Sequence, residues 1–429
     1  MKKVVIVELN EFNEDLARLM AERHDLKNLK KIFSMKHART QTDDSDDNDT
    51  LDPWVQWVSI HTGVPYAKHR IKRLGDVPDL SQPVIWKTLS DKGITSGVWG
   101  VLNGEREGEN CRFFLPDPWT YSEPGFPAEL GSVVGLPRYM AKHRVGYSVV
   151  KVLAELWKFL VFLLSFPKIC FKGIAILPAI FSAIVRKPLP YAFFVPVEYL
   201  STMLFCEYQK RYGTNFNILF LNSIAHLQHY FWYHKDGSGS FPFSFGFKLV
   251  DKMIGEVFSI LESDDVFLVL NGFSQVNTND EPTWCGYRPI DHDKYLDFLG
   301  LSFLEVEELM TYDAQVLFSS EEDLVHAEKV LSSQKLDGEN VFYCERNPVD
   351  PHKMFYRVCV HKLVSSHAFV EGPGGKYDFH RHFSFLGSRT GRHSAAGVVF
   401  YKNIQLPETM MNHELKGYLE NSFQWKNAA

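Results

Sequence analysis

The chain has 429 residues, of which 45% are hydrophobic and 23% charged, and its net charge is −6 at neutral pH. These values are typical of a folded globular protein and exclude a disordered chain, and the acidic balance gives no reason to expect a nucleic acid as partner. The six cysteines lie far apart, without the spacing of a zinc site or the density of a disulfide scaffold, which predicts buried thiols in a reducing compartment.

The first residues show the pattern of a buried strand followed by a helix. The run "VVIVEL" at residues 4–9 is rich in β-branched side chains, and "NEDLARLMAER" at residues 13–23 repeats its apolar positions with a helical period. The apolar run from Val4 to Val7 ends at Glu8, which is too short for the core of a signal peptide. We therefore expect a cytoplasmic protein whose fold begins at residue 3.

An acidic loop and a second helix and strand follow. Residues 41–52, "QTDDSDDNDTLD", carry a density of like charge that predicts a loop. The segment "PVIWKTLSDKGITSGVWGVLNG" at residues 83–104 then predicts a helix, a glycine turn and a strand, which is half of a parallel βαβ unit. Residues 1–137 are accordingly assigned to the first part of an α/β core.

Between Arg138 and Lys187 the composition changes, because nine basic residues are accompanied by a single acid, Glu155. This segment is also apolar, but its longest uncharged runs, 159–167 and 173–185, are shorter than the roughly 18 residues needed to span a bilayer. Lysines that punctuate an apolar helix are typical of a helix lying on an anionic membrane surface. A basic helical hairpin packed on the core would show the same pattern, so residues 138–195 form a helical insertion with two interpretations.

The α/β pattern resumes at residues 196–278, with the strands "NILFL" and "DVFLVL" each preceded by a helical segment. Residues 279–377 alternate strand, helix and two further strands, which predicts a small α+β insertion. Residues 378–429 return to the core with the strand "GVVFYKN". The predicted fold is an α/β class, three-layer α/β/α sandwich with a mainly parallel sheet, a helical insertion and a small α+β insertion.

Polar residues gather where these strands end. Enzymes that displace a group at phosphorus often hold two metal ions with Asp and His at the carboxyl ends of parallel strands. Four strand ends here carry candidate residues, with His393 near the end of the chain: residues 8–11, 50–63, 223–229 and 271–274.

Six motifs around these positions occur in a recognisable order: "VVIVELNEF", "WVQWVSIHTGVPYAKHRI", "PVIWKTLSDKGITSGVWGV", "SIAHLQHYFW", "VFLVLNGF" and "GRHSAAGVVFYKN". Together they resemble the alkaline phosphatase superfamily, in particular its type I phosphodiesterase and phosphomutase-like branch. The resemblance covers most of the chain outside the two insertions, and the α+β insertion resembles one found at the same point in that branch. It implies the three-layer fold and a metal-dependent enzyme acting on phosphoesters.

Carried over position by position, the resemblance implies an incomplete set of metal ligands. The first family aspartate falls on Asn10, the aspartate of the family's DHxxH segment becomes Ala225, and the family's "DHGF" appears as "LNGF". The two histidines of DHxxH and the histidine of the final GxHxxxG segment are present. The candidate metal ligands are Glu8, Asn10, His226, His229, Asn271 and His393.

The catalytic and substrate-binding positions are similarly uneven. Counting back from Thr62, the family nucleophile falls on Pro53, which has no hydroxyl, so Thr50 serves only if the loop shifts, and Asp52 is the second catalytic candidate. The run "HRIKRLGD" follows this segment. Its basic side chains would bind a phosphate, or they would simply be solvated at the surface. The candidate substrate-binding residues are His69, Arg70 and Arg73.

A divalent ion needs deprotonated and preferably anionic ligands, so two imidazoles and two carboxamides would hold a metal pair poorly. We predict instead a single divalent ion, zinc or manganese, on His229 and His393, completed by Glu8, Glu11 or Asp52. In the alternative interpretation the histidines bond to backbone among packed aromatic rings, and Glu11 caps the following helix.

Two functions follow from the resemblance. The first is a hydrolase or transferase acting on a phosphoester, with a phosphorylated small molecule or glycan as ligand. A lipid-linked or glycan-linked phosphate at the inner membrane face is its narrower form, which would make the cytoplasmic protein peripheral to an anionic membrane surface. The second is a catalytically silent relative that binds a phosphorylated glycan or a partner protein.

Overall fold

A β-branched run forms the centre of the main sheet: all six residues of Val4–Leu9 are buried, since strands covered on both faces carry continuous apolar sequence. A computed structural model describes residues 2–42, 51–143, 147–186, 191–309, 311–347 and 350–423. By chain contacts it divides into two units. Unit 1 comprises residues 1–137, 154–279 and 390–429, and unit 2 comprises residues 138–153 and 280–389.

The strands of the described residues are, in chain order, β1 (Val4–Leu9), β2 (Lys36–Gln41), β3 (Ser96–Trp99), β4 (Cys111–Leu115), β5 (Phe216–Leu221), β6 (Val266–Leu270), β7 (Ser274–Asn277), β8 (Cys285–Pro289), β9 (Glu305–Glu308), β10 (Asp313–Leu317), β11 (Lys335–Leu336), β12 (Glu339–Asn340), β13 (Phe342–Arg346), β14 (Lys353–Val358), β15 (Phe369–Gly372), β16 (Gly375–Asp378), β17 (Phe383–Ser388), β18 (Gly391–Ser394), β19 (Ala396–Lys402) and β20 (Thr409–Met411).

The α-helices are α1 (Glu14–Arg23), α2 (Lys27–Phe33), α3 (Pro53–Thr62), α4 (Tyr66–His69), α5 (Ile85–Ser90), α6 (Gly131–Lys142), α7 (Val149–Leu163), α8 (Pro167–Arg186), α9 (Tyr191–Tyr212), α10 (Ser223–Phe231), α11 (Phe241–Phe258), α12 (His292–Phe298), α13 (Glu321–Ser332), α14 (Phe379–His382) and α15 (Leu415–Ser422).

Unit 1 contains an eight-stranded sheet in the order β20-β2-β19-β6-β1-β5-β3-β4. The pairs of β1 with β5 and β6, of β3 with β4 and β5, and of β2 with β20 are parallel. Only β19 runs antiparallel to its two neighbours, β2 and β6. The predicted α/β class with a mainly parallel sheet is therefore confirmed.

The helices of unit 1 pack their apolar sides into one large core cluster with the sheet. Residues from α1, α2, α9, α10 and α11 all contribute buried side chains to it. Local signals fix where the helices begin: Asn13 caps α1 by accepting a hydrogen bond from Leu16 N at 2.9 Å, and Pro53 opens α3 at a position where its missing N–H costs nothing. The expectation that Glu11 caps α1 is therefore wrong.

Unit 2 has a core of its own. It contains two four-stranded sheets, in the orders β13-β14-β10-β9 and β12-β11-β15-β16, and the antiparallel pair of β17 with β8. The unit continues to Arg389, beyond the boundary at residue 377 proposed from the sequence.

None of the six cysteines, all of which lie in the described residues, is in a disulfide. Cys111, Cys206 and Cys285 are buried as predicted, whereas Cys170, Cys344 and Cys359 are partly exposed. No helix in the described part of the chain is both long and apolar enough to cross a bilayer.

Candidate metal centre

Three chain segments meet where β1, β5 and β6 end. Because these strands are parallel and adjacent, their carboxyl ends lie at one edge of the sheet. Beyond β1 the backbone joins both neighbours: Asn10 N donates to Leu221 O at 2.9 Å, and Glu11 N donates to Asn271 O at 3.0 Å. The loop that carries Asn10 and Glu11 is thereby fixed between the ends of β5 and β6.

The two histidines come from the elements that follow the neighbouring strands. His229 lies on α10, which begins two residues after β5. His393 lies on β18, which pairs antiparallel with β7 just beyond β6 and places His393 opposite Gln275. The predicted convergence of these two imidazoles is found, because their ring centroids are 5.2 Å apart.

Glu11 completes the group, which we call the Glu11 cluster: Glu11, His229 and His393. Glu11 Oε2 lies 3.0 Å from His229 Nε2 and 3.1 Å from His393 Nε2. One possible ligand atom from each residue lies within 4.8 Å of the other two, and in the described part of the chain this is the one such group of three or more His, Cys, Asp or Glu residues. It was reached from the sequence only as one of three ways to complete the pair of histidines.

The other ring nitrogens fix the orientation of both imidazoles. His229 Nδ1 lies 3.1 Å from the carbonyl oxygen of Gly391, and His393 Nδ1 lies 2.8 Å from that of Leu51. A carbonyl oxygen only accepts, so each Nδ1 carries a proton and donates it. If the two imidazoles are neutral, each Nε2 then carries a lone pair that points at Glu11. The two Nε2 atoms and the Glu11 carboxylate are then three acceptors facing one another, unless both rings are charged or a cation lies among them.

Glu11 is held as an anion. Its side chain is buried, and although burial alone would raise the pKa of the carboxyl, the charges and hydrogen bonds of His393 and His229 hold that pKa well below its usual range. Gln275 Nε2 donates to Oε2 at 2.5 Å and Asn10 Nδ2 donates to Oε1 at 2.9 Å. The backbone of Glu11 has a φ of 55°, which is uncommon outside glycine and is found more often at functional sites.

The donor set fits a divalent metal ion. Two imidazole nitrogens and one carboxylate are the ligands of several catalytic zinc sites, which leave a fourth position open. Hydrogen bonds from each ligating ring to a backbone carbonyl are the usual second layer of such sites. Manganese accepts the same nitrogen and oxygen donors. The three residues of the Glu11 cluster therefore suit one divalent ion.

The neighbouring amides, which we call the amide group (Asn10, Asn222 and Asn271), are bonded within the protein. Asn10 Oδ1 accepts from Trp57 Nε1 at 2.8 Å, and Asn10 Nδ2 donates to Asn222 Oδ1 at 2.8 Å. Asn271 Oδ1 accepts from Val398 N and Asn271 Nδ2 donates to Phe12 O, both at 2.9 Å. The predicted ligands Asn10 and Asn271 thus direct their oxygens to protein donors rather than to the Glu11 cluster.

The predicted ligands Glu8 and His226 also lie outside the cluster. Glu8 Oε1 accepts from His61 Nε2 at 2.7 Å in a fully buried pair, whereas Glu8 Oε2 has no hydrogen-bond partner. His226 Nε2 accepts from Asn222 Nδ2 at 3.2 Å, and the ring packs edge-on against Phe194. The two histidines of α10 therefore belong to different groups: His229 is part of the Glu11 cluster, and His226 is bonded to Asn222 of the amide group.

The predicted catalytic residues divide in the same way. Asp52 precedes α3, and its Oδ1 lies 3.8 Å from His393 Nδ1, close enough for an electrostatic contact with the cluster. Thr50 lies outside the described residues. Pro53 begins α3 at the position where the resemblance implies a nucleophile.

The three predicted substrate-binding residues are placed by α4 and the turn after it. Ile71 N donates to His69 Nδ1 at 3.1 Å, so Nε2 carries the proton and donates to Ser59 Oγ at 2.9 Å. Burial lowers the pKa of His69 to about 4, so this ring is neutral at physiological pH. Arg70 Nε donates to Ala67 O on the surface, and Arg73 N donates to Asp76 Oδ2. The backbone of Arg73 is also tied to a distant segment, because Asn103 Nδ2 donates to Arg73 O at 2.9 Å.

Sequence reasoning missed the residues that position Glu11. Gln275 Nε2 holds the ligand oxygen, and Trp57 Nε1 holds Asn10. Trp57 lies inside one of the six motifs but has no role assigned there, and Gln275 lies outside them; each acts through a contact between distant segments.

No protein-family model matches the chain, and no curated protein matches it. Among solved structures the chain is similar to murine ectonucleotide pyrophosphatase/phosphodiesterase 5 in complex with AMP, with 11% identity and a TM-score of 0.48 over 99% of this chain and 95% of that one. It is also similar to phosphonoacetate hydrolase from Sinorhizobium meliloti in complex with phosphonoformate, with 14% identity and a TM-score of 0.45 over 97% of this chain and 95% of that one.

Proposed function

We propose that the protein is a hydrolase of phosphoesters that works with one divalent metal ion, zinc or manganese, held by Glu11, His229 and His393. The observation that carries this proposal is the convergence of two imidazole Nε2 atoms on one carboxylate oxygen, at 3.0 and 3.1 Å, while both Nδ1 atoms donate to carbonyls. Such an arrangement places three electron-pair donors around one point.

Each residue around the proposed ion has a separate role. Gln275 and Asn10 donate to the two oxygens of Glu11 and hold the carboxylate between the rings. The carbonyls of Gly391 and Leu51 keep a proton on each Nδ1, so that both Nε2 atoms remain available as ligands. When bound, a divalent ion would polarise a phosphoryl oxygen and make a water molecule more acidic. Asp52, whose Oδ1 lies 3.8 Å from His393 Nδ1, is the candidate base.

The substrate class is a phosphorylated small molecule or glycan. The proposal draws on the order of the six sequence motifs, which resemble those of phosphoester enzymes, and on the position of the cluster at the carboxyl edge of a parallel sheet, where ligands of such folds bind. A phosphate linked to a lipid or a glycan at the inner face of the membrane is the narrower form.

A second candidate is a relative that binds the same ligand without turning it over. The amide group favours this candidate, because the side-chain oxygens of Asn10 and Asn271 accept hydrogen bonds from Trp57 and Val398 and carry no charge that would hold a second ion. The proline at residue 53 also leaves the implied nucleophile position without a hydroxyl.

The test uses two histidines of one helix. The protein is purified without chelator, its zinc and manganese are measured by elemental analysis, and hydrolysis of bis(p-nitrophenyl) phosphate is followed with each metal added. The variant His229→Ala should lose the ion and at least about 100-fold of the activity. The variant His226→Ala removes an imidazole three residues earlier that lies outside the cluster, and it should keep both.

One ion with no turnover in the wild-type protein would support the binding relative. Absence of any bound metal, or equal losses in the two variants, would overturn the metal centre.

A further inference from the structure

Helices α7 and α8 each bury one side and expose the other. Their buried side contributes Phe159, Leu163 and Ile176 to the core of unit 1, together with Phe166 and Ile169 from the turn between the helices and the first turn of α8. Phe166 lies against Tyr208 of α9, with ring centroids 6.2 Å apart. This part of the hairpin is packed on the core, as one of the two interpretations of the insertion expects.

The opposite side is apolar as well. Eight large side chains of unit 1 recur every three or four residues on it, with exposures from 44% to 74%. We call this set the α7–α8 apolar face: Trp157, Leu160, Val161, Leu164, Phe171, Ile174, Leu177 and Phe181. A folded domain rarely leaves so many large apolar side chains of two consecutive helices in water, which marks them as an interaction surface.

The charge near this face is mainly positive. Residues 154–186 contain three lysines and one arginine but a single acid, Glu155, in a chain whose net charge is −6. Lys158 pairs with Glu155 at 2.6 Å and Lys172 pairs with Glu256 at 2.5 Å, and the lysine side chains remain 60% and 49% exposed. Lys168 is also exposed. Ammonium groups beside exposed apolar side chains match an anionic partner with an apolar layer beneath its charges.

We propose that the α7–α8 apolar face docks on an anionic lipid surface, with its aromatic and aliphatic side chains among the acyl chains and its lysines at the head groups. A second copy of the chain fits less well, because a two-fold interface brings each patch against itself and would place lysines against lysines. The acidic remainder of the chain would be repelled by the same lipids, so the charge pattern also selects which side approaches the surface.

The docking helices are linked to the Glu11 cluster within unit 1. Helix α8 packs on α9, and Glu198 of α9 accepts hydrogen bonds from the backbone N–H groups of Asn222 and Ser223 at the start of α10. Helix α10 carries His229. The docking surface does not depend on the proposed function, but it would bring a lipid-linked phosphate to the same unit as the cluster.

Vesicle sedimentation tests the proposal with the full chain. Vesicles of phosphatidylcholine alone and of phosphatidylcholine with 30 mol% phosphatidylglycerol are mixed with the wild-type protein and with two double variants. Leu164→Gln with Phe171→Gln removes two apolar contacts from the face. Leu304→Gln with Leu363→Gln is the matched control, since these leucines of unit 2 are 64% and 69% exposed and lie outside the face.

The wild-type protein should sediment with the anionic vesicles and remain in solution with the neutral ones. The first double variant should weaken binding by about 100-fold, because each lost apolar side chain contributes about tenfold, and the control should bind like the wild type. Circular dichroism verifies that both variants are folded. Absence of sedimentation with either vesicle, or equal binding to both, would overturn the proposal.

A second copy as occupant has its own signature in the same samples. Analytical ultracentrifugation without lipid would show a dimer that Leu164→Gln with Phe171→Gln dissociates, and vesicles would not sediment the protein. That result would overturn the lipid surface. A wild-type protein that sediments with the anionic vesicles but contains no bound metal would instead count against the metal centre alone.

Discussion

The Glu11 cluster and the amide group lie side by side at one edge of the sheet, yet their hydrogen bonding differs. In the amide group every donor has an acceptor: Asn10 joins Trp57, Glu11 and Asn222, and Asn271 joins Val398 and Phe12. In the cluster, once the Nδ1 protons are assigned to carbonyls, three acceptors converge on one point unless both rings are charged or a cation lies among them.

This difference shows why a carboxamide and a carboxylate are not interchangeable at such an edge. An amide carries both a donor and an acceptor, so it can satisfy its neighbours and close a buried site without charge. A carboxylate among imidazoles requires protons or a cation. The hydrogen bonds of the amide group are therefore satisfied within the protein, whereas the Glu11 cluster needs a bound cation or added protons.

The largest effect should come from removing the only anion of the cluster. The variant Glu11→Gln should weaken zinc binding by roughly 1,000-fold, about 4 kcal/mol, because a neutral amide replaces the charged ligand. Competition with a chelating dye measures the affinity. The control is Glu8→Gln, a buried carboxylate three residues earlier that bonds His61, and its zinc affinity should change less than about threefold. Equal losses in both variants would contradict a centre confined to the cluster.

The next effect concerns helix α10, which serves both regions. Burial raises the pKa of Glu198 from 4.5 to about 7, and the hydrogen bonds from Ser223 and Asn222 offset only part of that rise. The folded protein therefore binds this proton more tightly than the unfolded chain does between about pH 4.5 and 7. The free energy of unfolding should fall by about 3 kcal/mol as the pH rises through that window.

The variant Glu198→Gln should remove this part of the pH dependence, as measured by urea unfolding at pH 5 and pH 8. Glu207→Gln, on the exposed part of the same helix, is the control and should keep the wild-type slope. A Glu198→Gln slope equal to that of the wild type would show that the carboxyl is not protonated in the folded state.

A smaller loss should follow when the amide group is given a charge. In Asn10→Asp an oxygen replaces Nδ2, which donates to Glu11 Oε1 and Asn222 Oδ1, so two acceptors lose their donor beside an existing anion. Unfolding in urea at pH 8 should show a loss of about 2 kcal/mol. Asn403→Asp changes an exposed amide and should cost less, since water reaches it. A stable Asn10→Asp variant would mean that the amide group tolerates an acid and that its neutrality is incidental.

The smallest effect tests whether the two regions are independent. Trp57→Phe removes the N–H that donates to Asn10 Oδ1 and should reduce the free energy of unfolding by about 1 kcal/mol while zinc affinity stays within about twofold. Trp86→Phe removes a buried indole hydrogen bond to Glu105 O elsewhere and should cost a similar amount. A fall in zinc affinity in Trp57→Phe alone would show that the amide group positions the cluster.

Local pattern was sufficient for most of the fold. The β-branched run at residues 4–9, the helical period after it and the strand "GVVFYKN" each lie where the pattern predicts them. The pattern of "KYDFHRHFSF" favours an exposed strand for His380 and His382, but these histidines lie on the short helix α14, where the Asp378 side chain accepts a hydrogen bond from Arg381 N. Four residues are too few for periodicity to distinguish a helical turn from a strand.

The sequence by itself determined the α/β class, the strand ends that carry polar residues and the pairing of His229 with His393, because each follows from periodicity or from motif order along the chain. Only the tertiary structure decided which acid joins them. Glu8 and Glu11 are three residues apart, but Glu8 faces His61 inside unit 1 whereas Glu11 turns toward the histidines at a positive φ. That choice rests on contacts from Gln275, Asn10 and the carbonyls of Leu51 and Gly391, which lie far apart in sequence and meet only when the sheet has formed.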